Sequence, residues 1–157
     1  MSFSVRPAAP EEKEIIHSLL QPYLDELCRF TGEIAEYKDE HGIYQYPYLD
    51  AYWQEKERFP YLLVADERIA GFALVRKDND HWEIAEFFIK PEFRRRGLGE
   101  AATLVILKKH PGLWQISYNK HNKPGQHLWI KLAEKFTKDK VKTGELDVSH
   151  DFVSFSV

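Results

Sequence analysis

Glu86-Phe87-Phe88-Ile89-Lys90-Pro91-Glu92-Phe93-Arg94-Arg95-Arg96-Gly97-Leu98-Gly99-Glu100 reads as an aromatic strand that stops at a proline, turns through arginines and glycines, and enters a helix. A helix begun this way leaves its first backbone N–H groups without intrahelical acceptors. Those donors and the positive end of the helix dipole suit a pyrophosphate. Glycine permits left-handed backbone and close ligand approach, and Arg94, Arg95 and Arg96 raise the local positive potential. The same pattern also fits a basic turn followed by an ordinary helix cap.

Working outward toward the amino terminus, Trp82 to Ile89 is a strand, preceded by the turn Asp78-Asn79-Asp80. Before that turn, Tyr61 to Ala65 and Ile69 to Arg76 form a hairpin around Asp66-Glu67-Arg68. The segment from Gly32 to Pro60 is poorly patterned and reads as a long excursion with a helix near Leu49 to Arg58. Its aromatic residues, Tyr44, Tyr46, Tyr48, Tyr52 and Trp53, continuing to Phe59 and Tyr61, are placed to wall a pocket or to fill a core patch. Ile15, Ile16, Leu19, Leu20, Tyr23, Leu24 and Leu27 form a helical stripe that Pro22 should kink or divide. Phe3 and Val5 begin the chain as a short strand.

Toward the carboxyl terminus, Leu98, Ala101, Ala102, Val105 and Ile106 mark a buried helical face that ends at His110-Pro111-Gly112. Leu113 to Tyr118 is the next strand, so strand, helix and strand imply a parallel crossover with the glycine turn at the carboxyl end of the first strand. A helix from about Pro124 to Phe136 and two strands, near Val141 to Val148 and Phe152 to Val157, complete a mixed sheet.

The whole chain of 157 residues, 43% hydrophobic and 30% charged, fits one domain, 1–157. With 25 acidic against 22 basic side chains the formal charge is −3, which gives no basis for nucleic-acid binding. Cys28 has no partner for a disulfide or a thiolate metal site. His121, His127 and the carboxylates show no metal-ligand spacing, so no metal is expected. Met1 to Pro10 is not a secretion signal and no apolar run nears the roughly 20 residues that span a bilayer, so the expectation is a cytoplasmic protein without a membrane partner. Asp39, Glu40, Asp50, Glu55 and Glu57 either attract a cationic molecule or form a solvated face.

With its element order, the chain resembles the GNAT superfamily of acetyl-CoA-dependent N-acetyltransferases over nearly its full length. The signature of Gln or Arg, two residues, Gly, one residue and Gly or Ala appears as Arg94-Arg95-Arg96-Gly97-Leu98-Gly99, preceded by the family-like Glu86 to Phe93. The resemblance implies an α/β (α+β) fold: a mixed, mostly antiparallel six- or seven-stranded sheet flanked by helices, with a splayed central parallel pair. It implies acetyl-CoA as cofactor, with Arg94, Arg95, Arg96, Gly97, Leu98, Gly99 and Glu100 around the pyrophosphate. Phe88, Ile89 and Lys90 would pair with the pantetheine arm, and the Ile89 N–H would polarise the thioester carbonyl. Direct attack by a small-molecule amine or a protein amino group follows, with Glu86 the first candidate base and Glu83 the second. The protein would be a monomer or a homodimer.

One departure concerns the leaving thiolate. The family motif of Asn, two residues, a small residue, three residues and Tyr falls on Asn122, Gly125 and Trp129. An indole is no usable acid near neutral pH. Trp129 is then packing or a pocket wall, with Tyr118, His121 or water as the proton donor, or with the sulfur released as thiolate. Asn122 is a cofactor contact or a helix N-cap. The departure motivates an alternative in which the chain binds acyl-CoA as a sensor without turnover. A nucleotide-binding α/β reading fits poorly, since both the Lys-Ser/Thr ending and the Gly-x-Gly-x-x-Gly spacing are absent.

Overall fold

The computed structural model describes residues 2–31 and 34–157, so Gly32 and Glu33, the first residues of the expected excursion, lie outside the described residues, as does Met1. Among the described residues the strands are β1 (Phe3–Pro7), β2 (Arg58–Ala65), β3 (Arg68–Asp78), β4 (His81–Ile89), β5 (Leu113–Asn119), β6 (Lys142–Glu145) and β7 (His150–Ser156). They form one seven-stranded sheet in the order β1-β2-β3-β4-β5-β7-β6. Every neighbouring pair is antiparallel except β4–β5, which is parallel as expected.

The helices divide between the two faces. α1 (Lys13–Thr31) and the single turn α2 (Ala51–Gln54) cover one, where Ile16, Leu20, Leu24 and Tyr52 pack on Leu62, Phe72, Leu74 and Phe88. α3 (Leu98–Lys109) and α4 (Lys123–Phe136) cover the other, where Ala102, Ile106, Leu132 and Ala133 pack on Leu63, Val75, Trp114 and Val153.

Three expectations need correction. Pro22 does not divide α1, which runs as one helix from Lys13 to Thr31. The proline is exposed, and the buried Ile16, Leu19, Leu20 and Leu24 around it hold the helix by packing that outweighs local propensity. The expected helix from Leu49 to Arg58 is only α2, because Arg58, Phe59 and Pro60 already pair with Arg76, Val75 and Leu74 on β3. β6 is shorter than Val141 to Val148, and β7 begins at His150. Asp147 accepts from Ser149 N and His150 N at 2.9 and 2.8 Å, which commits that stretch to a turn.

The excursion is fastened to α1 by polar contacts. Gln21 receives Tyr44 N–H at 2.9 Å and donates to Tyr44 O at 3.0 Å, while Trp53 Nε1 donates to Ala8 O at 2.9 Å. These ties hold the tyrosines between α1 and the sheet.

Candidate functional site

β4 carries a bulge. Leu74 pairs with Glu86 and Val75 with Ile84, so Ala85 is an extra residue with no opposite on β3. In an unbroken strand Ile84 and Glu86 would share a face, because side chains alternate with period two. The extra residue breaks that phase. Ile84 and Phe87 join the α3–α4 side, whereas Glu86 and Phe88 meet α1.

Beyond its first residues β4 also leaves its parallel neighbour. Trp82↔Trp114 is the single registered pair between β4 and β5. The two strands then diverge toward their carboxyl ends, and a cavity of about 600 Å³ opens there. Glu83 to Phe87 form one wall and Ser117, Tyr118 and Asn119 another, with Tyr23 of α1 and Tyr37, Tyr46, Tyr48 and Tyr52 of the excursion closing the side. Tyr46, Tyr48 and Tyr52 therefore wall a pocket, while Tyr44 and Trp53 belong to the core beneath.

Glu86 sits in this cavity. Tyr23 Oη donates to Oε1 at 2.9 Å and Tyr46 Oη to Oε2 at 3.2 Å. Burial pushes its carboxyl up to about 7, against the pull of the two phenols and the charge of Arg76. Such a group can take up and release a proton near neutrality. Burial also keeps Tyr23 and Tyr46 protonated, their pKa values raised further by the Glu86 charge.

Glu83 faces the same cavity but is already engaged. It accepts from Arg76 Nε at 2.7 Å and lies 3.0 Å from His81 Nε2. Asp78, His81 and Glu83 bring ligand atoms within 4.8 Å of one another, a grouping the sequence spacing did not disclose. Arg76 supplies its positive charge, reaching Asp78 at 3.9 Å as well.

Tyr118 also lines the cavity, 5% exposed, and burial raises its pKa. Among the described residues its hydroxyl has no hydrogen bond. Trp129 packs edge-on against Phe87 with ring centres 5.5 Å apart, as a wall of the same space. Asn122 caps α4, its side chain accepting from Gly125 N at 3.1 Å, and touches the cavity too. His121 and His127 are exposed and outside it.

The arginine-glycine turn follows β4 through the 3-10 turn Pro91–Phe93 and forms an exposed shelf. Arg95 and Gly97 both adopt left-handed backbone, at φ 62° and 75°. Alternation of this kind points successive N–H groups into one concavity. Gly97 caps α3 without a side-chain hydrogen bond, which leaves the first-turn amides of Leu98, Gly99 and Glu100 for an anion. A Cβ at Gly97 would meet nothing within 4 Å, so the glycine answers to its backbone angle and to open space where a ligand can approach. Those features fit a pyrophosphate. Arg94 is partly spent on architecture, with Nε on Ile89 O at 2.8 Å and Nη2 on Glu26 at 2.9 Å. Glu100 turns its carboxylate to Lys131 and Lys135 of α4, so only its amide faces the shelf.

The end of β4 links shelf and cavity. Lys90 N–H donates to Ala70 O on β3 at 2.8 Å. Strand amides alternate in direction, so the N–H groups of Ile89 and Phe87 point to the opposite edge, where β5 has splayed away. β3 approaches this segment closely at Gly71, where a Cβ would lie 2.0 Å from Phe88 O.

Among the cavity residues that the sequence did not single out are Tyr23, Glu36, Tyr37, Arg58, Arg76 and His150. Tyr23 was legible only as one member of a helical stripe, and Arg76 only as the end of a strand. None of the acids Asp39, Glu40, Asp50, Glu55 and Glu57 lines the cavity, and three have partners within the fold: Asp39 accepts from His41 N and Ile43 N, Asp50 pairs with Lys13 at 2.7 Å, and Glu55 with Arg58 at 3.3 Å.

A seven-stranded mixed sheet with one splayed parallel pair, an anion shelf at its end and a cavity in the splay defines a class of mixed α/β folds with a ligand slot in the sheet. The sequence model of the Acetyltransferase (GNAT) family matches residues 20–135, and the chain belongs to that family. Among solved structures it is similar to the PaiA N-acetyltransferase of Thermoplasma acidophilum in complex with coenzyme A, at 16% identity and a TM-score of 0.66 over 100% of both chains. It is also similar to the ribosomal-protein-S18-alanine N-acetyltransferase of Escherichia coli, at 12% identity and a TM-score of 0.63 over 99% of this chain and 94% of that one. A third, the ribosomal-protein alpha-N-acetyltransferase RimL in complex with coenzyme A, gives 12% identity and a TM-score of 0.69 over 100% and 94%. No curated protein matches the chain in sequence. No helix among the described residues is long and apolar enough to cross a membrane.

Proposed function

We propose that this chain is an acetyl-CoA-dependent N-acetyltransferase in which Glu86 is the base. The observation that carries the reading is the carboxyl at about 7, held by two tyrosines in the cavity that opens where β4 leaves β5. Bound acetyl-CoA supplies an activated acetyl thioester and a thiol leaving group. The shelf from Arg94 to Gly99, with the amides that open α3, holds its pyrophosphate, and the free edge of β4 from Phe88 to Lys90 guides its arm. The Ile89 N–H, or that of Phe87 on the cavity wall, is directed to the place where carbonyl oxygen gathers charge.

An amine arriving as ammonium gives up two protons on its way to an amide. Glu86 accepts the first and passes it to solvent; the second is matched by the proton that Tyr118 delivers to the departing sulfur. The new C–N bond forms as the C–S bond breaks, and one proton is released overall. Tyr118 occupies the role for which Trp129 is unsuited, and this weakens the case for a binding module without turnover.

Thermal unfolding in the presence of coenzyme A, acetyl-CoA and ATP tests the donor half. Saturation to 100 times Kd stabilises a folded protein by about 2.7 kcal/mol. Both coenzyme A forms are expected to raise Tm and ATP to leave it unchanged. Absence of stabilisation by either coenzyme A form overturns the reading.

A further inference from the structure

A second set of polar groups, Tyr52 and Arg58, lines the cavity besides Glu86. Tyr52 lines the cavity and is 2% exposed, and among the described residues its buried hydroxyl has no hydrogen-bond partner. An unpaired buried hydroxyl costs about 1–3 kcal/mol, so its retention points to a partner that arrives with a ligand. Burial raises this phenol to about 12, with Arg58 drawing it back down, so it is a donor at any ordinary pH.

Arg58 stands beside it. The guanidinium carbon is 5.2 Å from the Tyr52 ring centre and 5.7 Å from that of Tyr48. The Arg58 side chain is only 16% exposed, while its acidic partner Glu55, 3.3 Å away, is 58% exposed. A carboxylate so open to water neutralises little of that charge. Arg76, the other cation on the wall, is already held by Glu83 at 2.7 Å. The acids that face the cavity are Glu36, Glu86 and Glu83, and the last is neutralised by Arg76. The cavity wall therefore presents, besides the Glu86 carboxylate, a largely buried arginine whose charge is little neutralised, with the Tyr52 phenol beside it.

We propose that the acceptor is a small molecule carrying a carboxylate close to its primary amine, an amino-acid-type zwitterion, whose carboxylate is held by Arg58 and the Tyr52 hydroxyl while its amine lies against Glu86. The amine half rests on the transferase reading; the carboxylate half is a binding claim that stands apart from turnover. A guanidinium with a neighbouring hydroxyl matches a carboxylate in charge and in hydrogen-bond geometry. A protein amino terminus or a polyamine would leave both donors unpaired.

The test compares leucine with leucinamide, phenylalanine with phenylalaninamide and lysine with cadaverine. Equilibrium binding to the coenzyme A-loaded protein and thiol release from acetyl-CoA are both measured. The acid of each pair is expected to bind and react at least tenfold better, even though the amide's amine loses its proton more readily. Arg58→Gln should remove that preference and leave the coenzyme A thermal shift unchanged, with Tyr52→Phe weakening it severalfold. Because the acid–amide contrast is read in the wild-type protein, it does not depend on any variant folding. Preferential binding of the acids without thiol release supports the inference and sinks the transferase reading. Thiol release with no preference for the acid, a preference that survives Arg58→Gln, or no binding of any amino acid overturns the inference.

Discussion

The shelf from Arg94 to Gly99 and the tyrosine-lined cavity meet at β4, yet they are built by opposite means. The shelf is six consecutive residues whose backbone amides are proposed to do the binding, so its character is local. The cavity draws side chains from α1, the excursion, β2, β3, β4, β5, α4 and β7, from Tyr23 to His150, and its character is tertiary. A backbone site serves any molecule with the right anion. A side-chain site can be rebuilt residue by residue, which is why the donor is legible from a motif and the acceptor from the cavity alone.

Substitutions can push on that contrast. Largest is Glu86→Gln, expected to lower kcat/KM for thiol release by ~10²–10⁴-fold, as removal of a general base does, while the coenzyme A thermal shift persists. The same variant should be more stable than the wild type at pH 8. An acid whose pKa rises from its ordinary 4.5 to about 7 on folding contributes stability that is complete below the lower value and lost as pH climbs through the upper one. Urea unfolding at pH 5 and pH 8 shows whether Gln removes that dependence.

Gly71→Val should cost about 3 kcal/mol in urea unfolding, since its Cβ would collide with Phe88 O and push the donor edge of β4 out of register. Tyr118→Phe is expected to lower kcat about a hundredfold with the acceptor KM little changed. Retention of full kcat would return the sulfur's proton to water. Smallest is Tyr23→Phe. It removes one of the two hydrogen bonds that favour the Glu86 carboxylate, so the acid limb of kcat/KM should move to higher pH, with less than about a tenfold loss at pH 8.5.

What the sequence disclosed follows the same division. The Arg94–Gly99 turn, the β2–β3–β4 meander, the parallel β4–β5 pair and α3 and α4 were readable because glycines, turn residues and apolar periodicity act within a few residues of each other. Glu86 was readable from its position before the turn. Its setting was not, because Tyr23 and Tyr46 lie 63 and 40 residues away and are joined to it only by the fold. The division expected at Pro22 did not occur because propensity is local whereas the helix is held by its buried face. A bulge on this strand is implied by the family resemblance, but its position at Ala85, which aims Glu86 at those tyrosines, has no glycine to announce it.

The central claim is that Glu86, with a carboxyl near neutrality, takes the acceptor's proton. Its most direct test is the ratio of wild-type to Glu86→Gln kcat/KM from pH 5.5 to 8.5, since protonation of the amine itself lowers both rates alike and cancels. The account predicts a large, level ratio above about 7 that shrinks roughly tenfold per pH unit below it, as Glu86 becomes protonated. A ratio that stays constant across the range, or that is close to one throughout, would contradict it.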